Sequence, residues 1–212
     1  MAEHNTPNRL LAIGDIHGCL IQLQRLLEEV RPTADDQVVF LGDYIDRGPD
    51  SAKVIQELIT FQEKFPQTVY LRGNHEQMFL DFLKGEDSTM FLMNGGDATL
   101  ASYRACKLWP LPGKHLDFLK WLKYWHETEQ FIFVHAGLRP GVPPAEQQPD
   151  DLLWIRGDFL DSDYDWGKII VYGHTPCQEP LITLTRVGLD TGCVYGRVLT
   201  CCDLLTGRIW QV

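Results

Sequence analysis

The stretch "LLAIGDIHGCLIQLQRLLEEVRPTADDQVVFLGD", residues 10–43, decides the fold. It opens with a short apolar strand that ends in Gly-Asp. A helical pattern follows, whose apolar face is formed by Leu20, Leu23, Leu26, Leu27 and Val30. A second apolar strand comes next, and it also ends in Gly-Asp. Strand, helix and strand in this order predict two parallel strands joined by a right-handed crossover.

The same alternation continues to residue 85. Residues 51–65 predict a second helix with Ser51 as its N-cap, and "TVYLRGN" (68–74) predicts a third strand. A third helix follows and ends at Gly85. Residues 88–128 predict a mostly helical region with a break at "WPLPG" (109–113). The fold class is therefore α/β.

The second half of the chain is rich in strands. The apolar stretches that predict them are "QFIFVHAG" (130–137), "KIIVYGHT" (168–175), "LITLTR" (181–186), "RVLTCCDL" (197–204) and "GRIWQV" (207–212). We expect the strands that end the chain to form a second, mixed sheet. No linker composition divides the sequence, so residues 1–212 are predicted to form a single domain.

The charge balance restricts the partners. The 19 basic and 29 acidic residues give a formal net charge of −10. Nucleic acid and anionic membranes attract basic surfaces, so neither is expected as the main partner. A phosphorylated substrate remains compatible, because bound cations reverse the sign of a local site.

The N-terminal residues lack a basic-then-apolar signal pattern, and no apolar run approaches the roughly 18 residues of a membrane span. These features predict a cytoplasmic protein. The six cysteines form no CxxC pair, and in that compartment we expect reduced thiols rather than disulfides. The sequence does not specify an oligomeric state, and a monomer is favoured.

Five polar clusters each follow an apolar strand directly. They are "GDIHG" (14–18), "GDYIDRG" (42–48), "GNHE" (73–76), "HAG" (135–137) and "GHT" (173–175). A turn explains any one cluster as well as a site does. Ligands of α/β proteins bind where the carboxyl ends of the strands converge, and four of the seven histidines lie in these clusters. Together the clusters favour a site over five unrelated turns.

The residue types in the clusters indicate a metal site. Carboxylate, imidazole and amide oxygen suit Mn²⁺, Fe²⁺ or Zn²⁺, and the absence of cysteine argues against a structural zinc site. Six side chains are candidate ligands: Asp15, His17, Asp43, Asn74, His135 and His174. Six are too many for one ion, so we predict two, with Asp43 as the central carboxylate. Two ions about 3.5–4 Å apart clamp an in-line displacement at phosphorus and activate water.

The remaining polar residues predict the rest of a phosphoryl-transfer site. His75 follows a ligand directly and is therefore free to act as the general acid for the leaving oxygen. Asp46 is a carboxylate that could orient this imidazole. Arg47 supplies a guanidinium fork that matches phosphate oxygens. Glu76 is expected to begin the third helix, where a negative charge suits the helix dipole.

The spacing of these motifs resembles a known family. "GDIHG", 23 residues, "GDYIDRG", 24 residues and "GNHE" resemble the signature of the phosphoprotein phosphatase family of calcineurin-like metallophosphoesterases. "HAG" and "GHT" match two later histidine motifs, so the resemblance covers residues 10 to about 192. It implies a four-layer α/β/β/α sandwich, with a dinuclear metal site at the carboxyl ends of the strands. The short chain and "NGGDATLASY" (94–103) resemble the compact bacterial and phage-type branch.

The resemblance also implies residue roles. The first metal would be held by Asp15, His17 and Asp43, and the second by Asp43, Asn74, His135 and His174. The cofactor would be two divalent ions, with Mn²⁺ favoured over Fe or Zn²⁺. A second phosphate-binding arginine matches Arg156 in "LLWIRGDF", with Arg139 as a weaker competitor. Arg47, Arg156 and Asn74 would contact the substrate, with His75 and Asp46 as catalytic residues.

Several functions fit these residues. The leading hypothesis is a metal-dependent phosphatase of phosphoserine and phosphothreonine in proteins, with phosphotyrosine as a further substrate. The alternative is symmetrical hydrolysis of dinucleoside polyphosphates such as diadenosine tetraphosphate, which uses the same five motifs. A non-catalytic binding module would be expected to lack a ligand or the acid, and none is missing. "LDTG" (189–192) resembles the aspartic protease motif, but such enzymes need two of these carboxylates. We therefore expect Asp190 to shape a turn.

Overall fold

The structure is a computed structural model that describes residues 7–86 and 88–212. Its first part alternates strands and helices as the sequence predicts. The elements are β1 (Leu10–Ile13), α1 (Leu20–Val30), β2 (Gln37–Phe40), α2 (Ser51–Lys64), β3 (Val69–Tyr70) and α3 (Asn74–Lys84). Strands β1, β2 and β3 are parallel neighbours, which confirms the predicted crossovers.

The middle of the chain is helical except at its end. It contains α4 (Ser88–Met93), α5 (Gly96–Ala105), α6 (Gly113–Trp121) and the short strand β4 (Trp125–Glu127). The prediction of a mostly helical region is therefore confirmed, and residues 125–127 form a strand at its end. These three residues pair antiparallel with residues 132–134, and this long-range pairing overrides their local pattern.

The remaining elements complete two sheets. They are β5 (Phe131–Val134), α7 (Pro149–Trp154), α8 (Gly157–Leu160), β6 (Ile169–Tyr172), β7 (Leu181–Ile182), β8 (Arg186–Gly188), β9 (Thr200–Asp203) and β10 (Arg208–Gln211). Two short 3₁₀ helices, Pro144–Glu146 and Cys193–Tyr195, lie between them. The first sheet has the order β10-β9-β1-β2-β3, and the second has the order β4-β5-β6-β8-β7.

The last two strands correct one prediction. We expected them in the second sheet, but β9 pairs antiparallel with β1, and β10 pairs with β9 in the first sheet. All four residues of β9 are buried, as expected for a strand between two neighbours. Without β9, the strand β1 would present an unpaired edge.

The two sheets pack face to face, and helices cover their outer faces. Leu10 and Ala12 of β1 lie in a core shared with Phe131 and Phe133 of the second sheet. The alternate residue Leu11 packs with the helices of the first half, and on the other side Ile132 packs with α7 and α8. The result is four layers, helix, sheet, sheet and helix, which confirms the predicted sandwich.

The predicted end of α3 is confirmed, whereas the predicted N-cap of α2 is wrong. Gly85 adopts φ +83° after α3, which is the left-handed conformation expected of a terminating glycine. Ser51 is the first residue of α2 rather than its N-cap, and its hydroxyl accepts a hydrogen bond from the Asp46 amide instead. The N-cap prediction was therefore wrong, because the hydroxyl is used by a loop that lies across the helix start.

The cysteines and the helix lengths bear on two of the sequence-based expectations. All six cysteines are free thiols in the structure. Within residues 7–86 and 88–212, no helix has the length and apolarity needed to cross a bilayer.

Candidate metal centre and active site

The five polar clusters meet where the carboxyl ends of the two sheets face each other. Asp15 follows β1, Asp43 follows β2 and Asn74 begins α3 after β3. From the second sheet, His135 follows β5 and His174 follows β6. Each of these side chains is at most 5% exposed. The structure therefore brings the predicted residues into one buried cluster.

Asp43 lies at the centre of this cluster. Its Oδ1 is 3.4 Å from His135 Nε2, and its Oδ2 is 3.5 Å from His17 Nε2. Burial alone would raise the pKa of Asp43, but the adjacent imidazoles, led by His135, hold this pKa well below its ordinary value. One carboxylate thus faces both halves of the cluster with a different oxygen, which is the arrangement a bridging ligand needs.

One half of the cluster contains Asn74, His135 and His174. Asn74 Oδ1 lies 3.0 Å from His135 Nε2 and 3.1 Å from His174 Nδ1. The His135 ring uses Nδ1 to contact the Leu41 carbonyl oxygen at 2.8 Å, which turns Nε2 toward the cluster. Burial lowers the pKa of His174 to about 2, so its ring is neutral and offers a lone pair.

The other half contains His17, Asp43 and Asp15. The His17 Nδ1 contacts the Ile45 carbonyl oxygen at 2.8 Å, and burial lowers the pKa of this ring to about 3. Its Nε2 lies 3.5 Å from Asp43 Oδ2 and is contacted by the Arg47 guanidinium. Asp15 accepts the His174 amide at 3.0 Å, and burial raises the pKa of Asp15 well above its ordinary value. The ligand atoms of His17, Asp43 and His75 also lie close enough to share an ion.

Left-handed backbone concentrates in this cluster. Seven non-glycine residues have positive φ in the described chain, and five of them are candidate site residues: His17 (45°), Asp43 (52°), Asp46 (71°), Arg47 (65°) and His174 (64°). This conformation is uncommon for side chains other than asparagine, aspartate and histidine, and it costs free energy. The loops therefore hold these residues in conformations that the surrounding structure must enforce.

His75 and Asp46 form a buried pair beside the metal cluster. His75 Nδ1 lies 2.7 Å from Asp46 Oδ2, and His75 Nε2 lies 3.9 Å from Asp43 Oδ2. Burial lowers the pKa of His75 to about 4 and raises the pKa of Asp46 well above its ordinary value. Asp46 thus fixes one ring nitrogen, and the other nitrogen faces Asp43 in the metal cluster.

Glu76 has a larger role than its position in the helix predicts. Its side chain is fully buried and accepts backbone N–H groups from Gly73 (2.9 Å), Asp43 (2.9 Å) and Tyr44 (2.8 Å). Burial raises the pKa of Glu76 to about 8, and these amides act against that rise. The carboxylate ties the loop after β2 to the start of α3. The "GNHE" motif contains Glu76, but the sequence does not show which loop it contacts.

Three arginines near the cluster have different surroundings. Arg47 is exposed, and its Nη1 lies 2.7 Å from His17 Nε2, so an ion on that nitrogen requires the guanidinium to turn. Arg156 donates to the carbonyl oxygen of His174 at 3.2 Å and lies at the rim. Arg139 is paired with Asp151 and Asp158 at 2.6 Å and 3.0 Å. Arg139 is therefore the least available for phosphate.

The donor set fits divalent cations. Ring nitrogens of His135 and His174 converge on the acceptor oxygen of Asn74, at 3.0 Å and 3.1 Å, an arrangement that a cation between them would make favourable. Among the residues that the structure describes, the His174 Nε2 is buried without a hydrogen-bond partner. Imidazole, carboxylate and amide oxygen are ligands for Mn²⁺, Fe²⁺ or Zn²⁺ alike. The residues thus fit two ions that share Asp43, and the ligand types leave the metal open.

Asp190 lies next to the cluster. It is 5% exposed and accepts the Gly192 amide at 3.0 Å, which confirms that it shapes a turn. Burial raises the pKa of Asp190 to about 6. Within the described residues the motif "LDTG" occurs once, so the carboxylate pair of an aspartic protease is absent from this chain.

Comparisons with known proteins agree with this site. The calcineurin-like phosphoesterase family model matches residues 8–197. The asymmetrical bis(5'-nucleosyl)-tetraphosphatase PrpE of Oceanobacillus iheyensis is 31% identical, over 89% of this chain and 85% of its own. Serine/threonine-protein phosphatase 1 of Salmonella typhimurium is 33% identical, over 89% of this chain and 88% of its own.

Among solved structures, a protein described provisionally as a diadenosine tetraphosphatase superposes with a TM-score of 0.76 at 24% identity, over 97% of this chain and 95% of the other. At that identity the match shows the fold alone. The family model covers most of the chain, and the two relatives exceed 30% identity over most of their own length. The chain belongs to the calcineurin-like phosphoesterases and is a hydrolase of this metallophosphoesterase family.

Proposed function

We propose that this chain is a metal-dependent phosphomonoesterase that hydrolyses phosphoserine and phosphothreonine in proteins, with phosphotyrosine as a further substrate. The observation that carries the proposal is the buried pair of His75 and Asp46, joined at 2.7 Å beside the metal-binding cluster. A serine or threonine alkoxide is a poor leaving group and needs a proton as the P–O bond breaks. A positioned histidine supplies such a proton with a typical rate gain of about 10²–10⁴.

The bound ions, the two arginines and the pair of His75 and Asp46 would have different roles in this reaction. When bound, the two divalent ions supply Lewis-acid stabilisation of charge on the phosphoryl oxygens and activate water. Arg47 and Arg156 would bind the remaining phosphate oxygens at the exposed rim. In its doubly protonated form His75 would donate the proton on Nε2 to the leaving oxygen and become neutral, while Asp46 accepts the Nδ1–H throughout and so fixes the direction of the ring.

The charges at the rim favour a protein substrate. Arg139 is neutralised by Asp151 and Asp158, which leaves Arg47 and Arg156 as the arginines available for phosphate among the three described above. A tetraphosphate chain carries several negative charges, and a chain with a net charge of −10 repels such a substrate at long range. The Salmonella relative named as a serine/threonine phosphatase supports the same choice.

A nucleotide substrate is the second candidate. The sequence suggested symmetrical cleavage, whereas the Oceanobacillus relative is named for asymmetrical cleavage. One structural observation favours this class: the Tyr195 ring is 56% exposed and lies 5.7 Å from the Arg47 guanidinium. An exposed aromatic face beside a phosphate-binding arginine could stack on a purine base.

A paired assay distinguishes the two candidates. Purified protein is loaded with Mn²⁺, and kcat/KM is compared on phosphothreonine and phosphotyrosine peptides and on diadenosine tetraphosphate. We expect a preference of tenfold or more for the phosphothreonine peptide, since a 1.4 kcal/mol difference in transition-state binding is about tenfold. The nucleotide products separate the two modes, because two ADP indicate symmetrical cleavage and ATP with AMP indicates asymmetrical cleavage.

The His75→Asn variant is the control for chemistry at this site. It should retain both ions and lose most turnover on the peptide. A preference for diadenosine tetraphosphate would replace the proposed substrate. Unchanged peptide turnover in His75→Asn would instead refute the role of His75. Repeating the assay with Fe²⁺ and Zn²⁺ tests whether Mn²⁺ is the metal that supports the highest rate.

A further inference from the structure

The segment "NGGDATLASY" (94–103) contacts the catalytic loop at two places. The Gly95 carbonyl oxygen accepts the Arg47 amide at 3.1 Å, and the Thr99 Oγ1 accepts the Asp46 amide at 2.9 Å. Gly95 has φ +93°, and a side chain there would collide with Arg47. The segment therefore lies against the loop that carries both Asp46 and Arg47.

The Thr99 hydroxyl also contacts the Asp46 side chain. Thr99 is completely buried, and its Oγ1 lies 2.6 Å from Asp46 Oδ1 and 3.0 Å from Ser51 Oγ. A hydroxyl has one proton, and a carboxylate oxygen can only accept, so the Thr99 proton is donated to Asp46. The Ser51 hydroxyl is a second neighbour of Thr99 Oγ1. One hydroxyl thus binds both the backbone and the carboxylate of Asp46.

Asp46 uses its two carboxylate oxygens for different partners. Oδ1 accepts from Thr99 at 2.6 Å, and Oδ2 contacts His75 Nδ1 at 2.7 Å. The backbone of Asp46 has φ 71°, an unfavourable conformation that the bond from its amide to Thr99 helps to hold. Without Thr99, this buried carboxylate can rotate or shift, and the His75 ring loses its fixed direction.

We propose that Thr99 is a positioning residue for proton donation by His75, acting through Asp46. The inference rests on the proposed role of His75 as the general acid. It assigns a function to a segment whose residues the sequence left unexplained. Thr99 is completely buried, so its effect should fall on the chemical step and spare substrate binding.

The test compares substrates with different leaving groups. In Thr99→Val the shape is kept and the hydroxyl is removed. We expect kcat on phenyl phosphate, a poor leaving group, to fall about 10- to 100-fold, within the range that general acids contribute. KM should change less than about twofold, and kcat on 2,4-dinitrophenyl phosphate should stay within about threefold, because its leaving group needs no proton. Thr99→Ser restores the hydroxyl and should recover activity on phenyl phosphate.

Ser102→Ala is the matched control for loss of a buried hydroxyl. Ser102 lies on the same helix and accepts the Ala52 amide at 3.1 Å. This variant should lose stability without changing the ratio of the two rates. Equal losses on both substrates in Thr99→Val, or no recovery in Thr99→Ser, would overturn the inference. If Thr99→Val does not fold, Thr99→Cys replaces the hydroxyl with a weaker donor and should show the same selective loss.

A double variant separates this inference from the proposed function. If Thr99 acts through His75, then His75→Asn with Thr99→Val should be no slower than His75→Asn alone. Additive losses would show that Thr99 acts by another route and would refute the inference. A His75→Asn enzyme with equal losses on both leaving groups would instead refute the general-acid role, and the Thr99 inference with it.

Discussion

Replacing Glu76 with glutamine should weaken the connection between the loop after β2 and the start of α3. The carboxylate has two oxygens, and each accepts backbone amides of the catalytic loops. Oε2 accepts from Asp43 and Gly73, while Oε1 accepts from Tyr44 at 2.8 Å and, at a longer 3.3 Å, from Ile45. In glutamine an NH₂ group replaces one of these oxygens. This group cannot accept a hydrogen bond, so the backbone N–H groups that face it lose their acceptor.

The expected magnitude follows from the number of donors. Two buried N–H groups lose their acceptor in Glu76→Gln, and each unsatisfied buried group costs about 1–3 kcal/mol. The loss of unfolding free energy should therefore be roughly 2–6 kcal/mol, a large part of a total of about 5–15 kcal/mol. Metal binding should also weaken, because Asp43 and Asn74 lie on the two segments that Glu76 joins.

Urea unfolding and elemental analysis provide the assay. With a slope of about 2 kcal/mol per molar urea, the midpoint should fall by roughly 1–3 M. The metal content per chain should fall in parallel after gel filtration. The control is Glu29→Gln, an exposed glutamate on α1 whose loss of charge should change stability by less than about 0.5 kcal/mol. A Glu76→Gln protein as stable and as metal-rich as the control would refute this reasoning.

Three further predictions concern metal, phosphate and pH. Asp43→Asn should bind fewer than two ions per chain by elemental analysis, because the shared carboxylate is lost, and two retained ions would contradict bridging. Arg156→Ala should raise KM and the inhibition constant for free phosphate roughly 10- to 100-fold, the equivalent of a charged hydrogen bond, whereas Arg139→Ala should not. Burial alone would raise the pKa of Asp36, but Arg9 and Thr33 hold this pKa below its ordinary value. Asp36→Asn should therefore cost about 1–3 kcal/mol in urea unfolding at pH 7. The ionised carboxylate stabilises the folded state fully only above its unfolded pKa of about 3.9, so this difference should shrink as the pH falls below that value. An equal cost at pH 3 and pH 7 would contradict the prediction.

The local patterns of the sequence predicted the part of the fold that carries the site. The apolar runs before Asp15, Asp43 and Asn74 are short strands, and the helix periodicity between them is regular, so the parallel order could be predicted. The clusters converge because parallel strands share an edge. The geometric relation of His75 to Asp46 also agrees with the expectation from residue types, while their chemical roles stay predictions.

Other features depend on contacts between distant residues and leave no local signal. The residues of β9 predict an ordinary strand, and nothing in them indicates that this strand pairs with β1. Thr99 lies in a helical pattern, and its contact with Asp46 spans 53 positions. Glu76 was expected to serve only its own helix, yet it contacts Tyr44, 32 positions earlier. A single sequence shows the residue types but does not show such partners.

The pairing of β1 with β9 has a consequence for how the protein acquires its site. Leu10 and Asp203 are hydrogen-bonded although they are 193 positions apart in the chain. Closing so long a loop costs entropy, and folds built on distant pairings form slowly. During synthesis, the edge of β1 stays unpaired until β9 has been made. Asp15 and His17 follow β1, so we expect metal capture to begin only after β9 has been synthesised. Until then the open edge of β1 is the place where a nascent chain would aggregate or bind a chaperone.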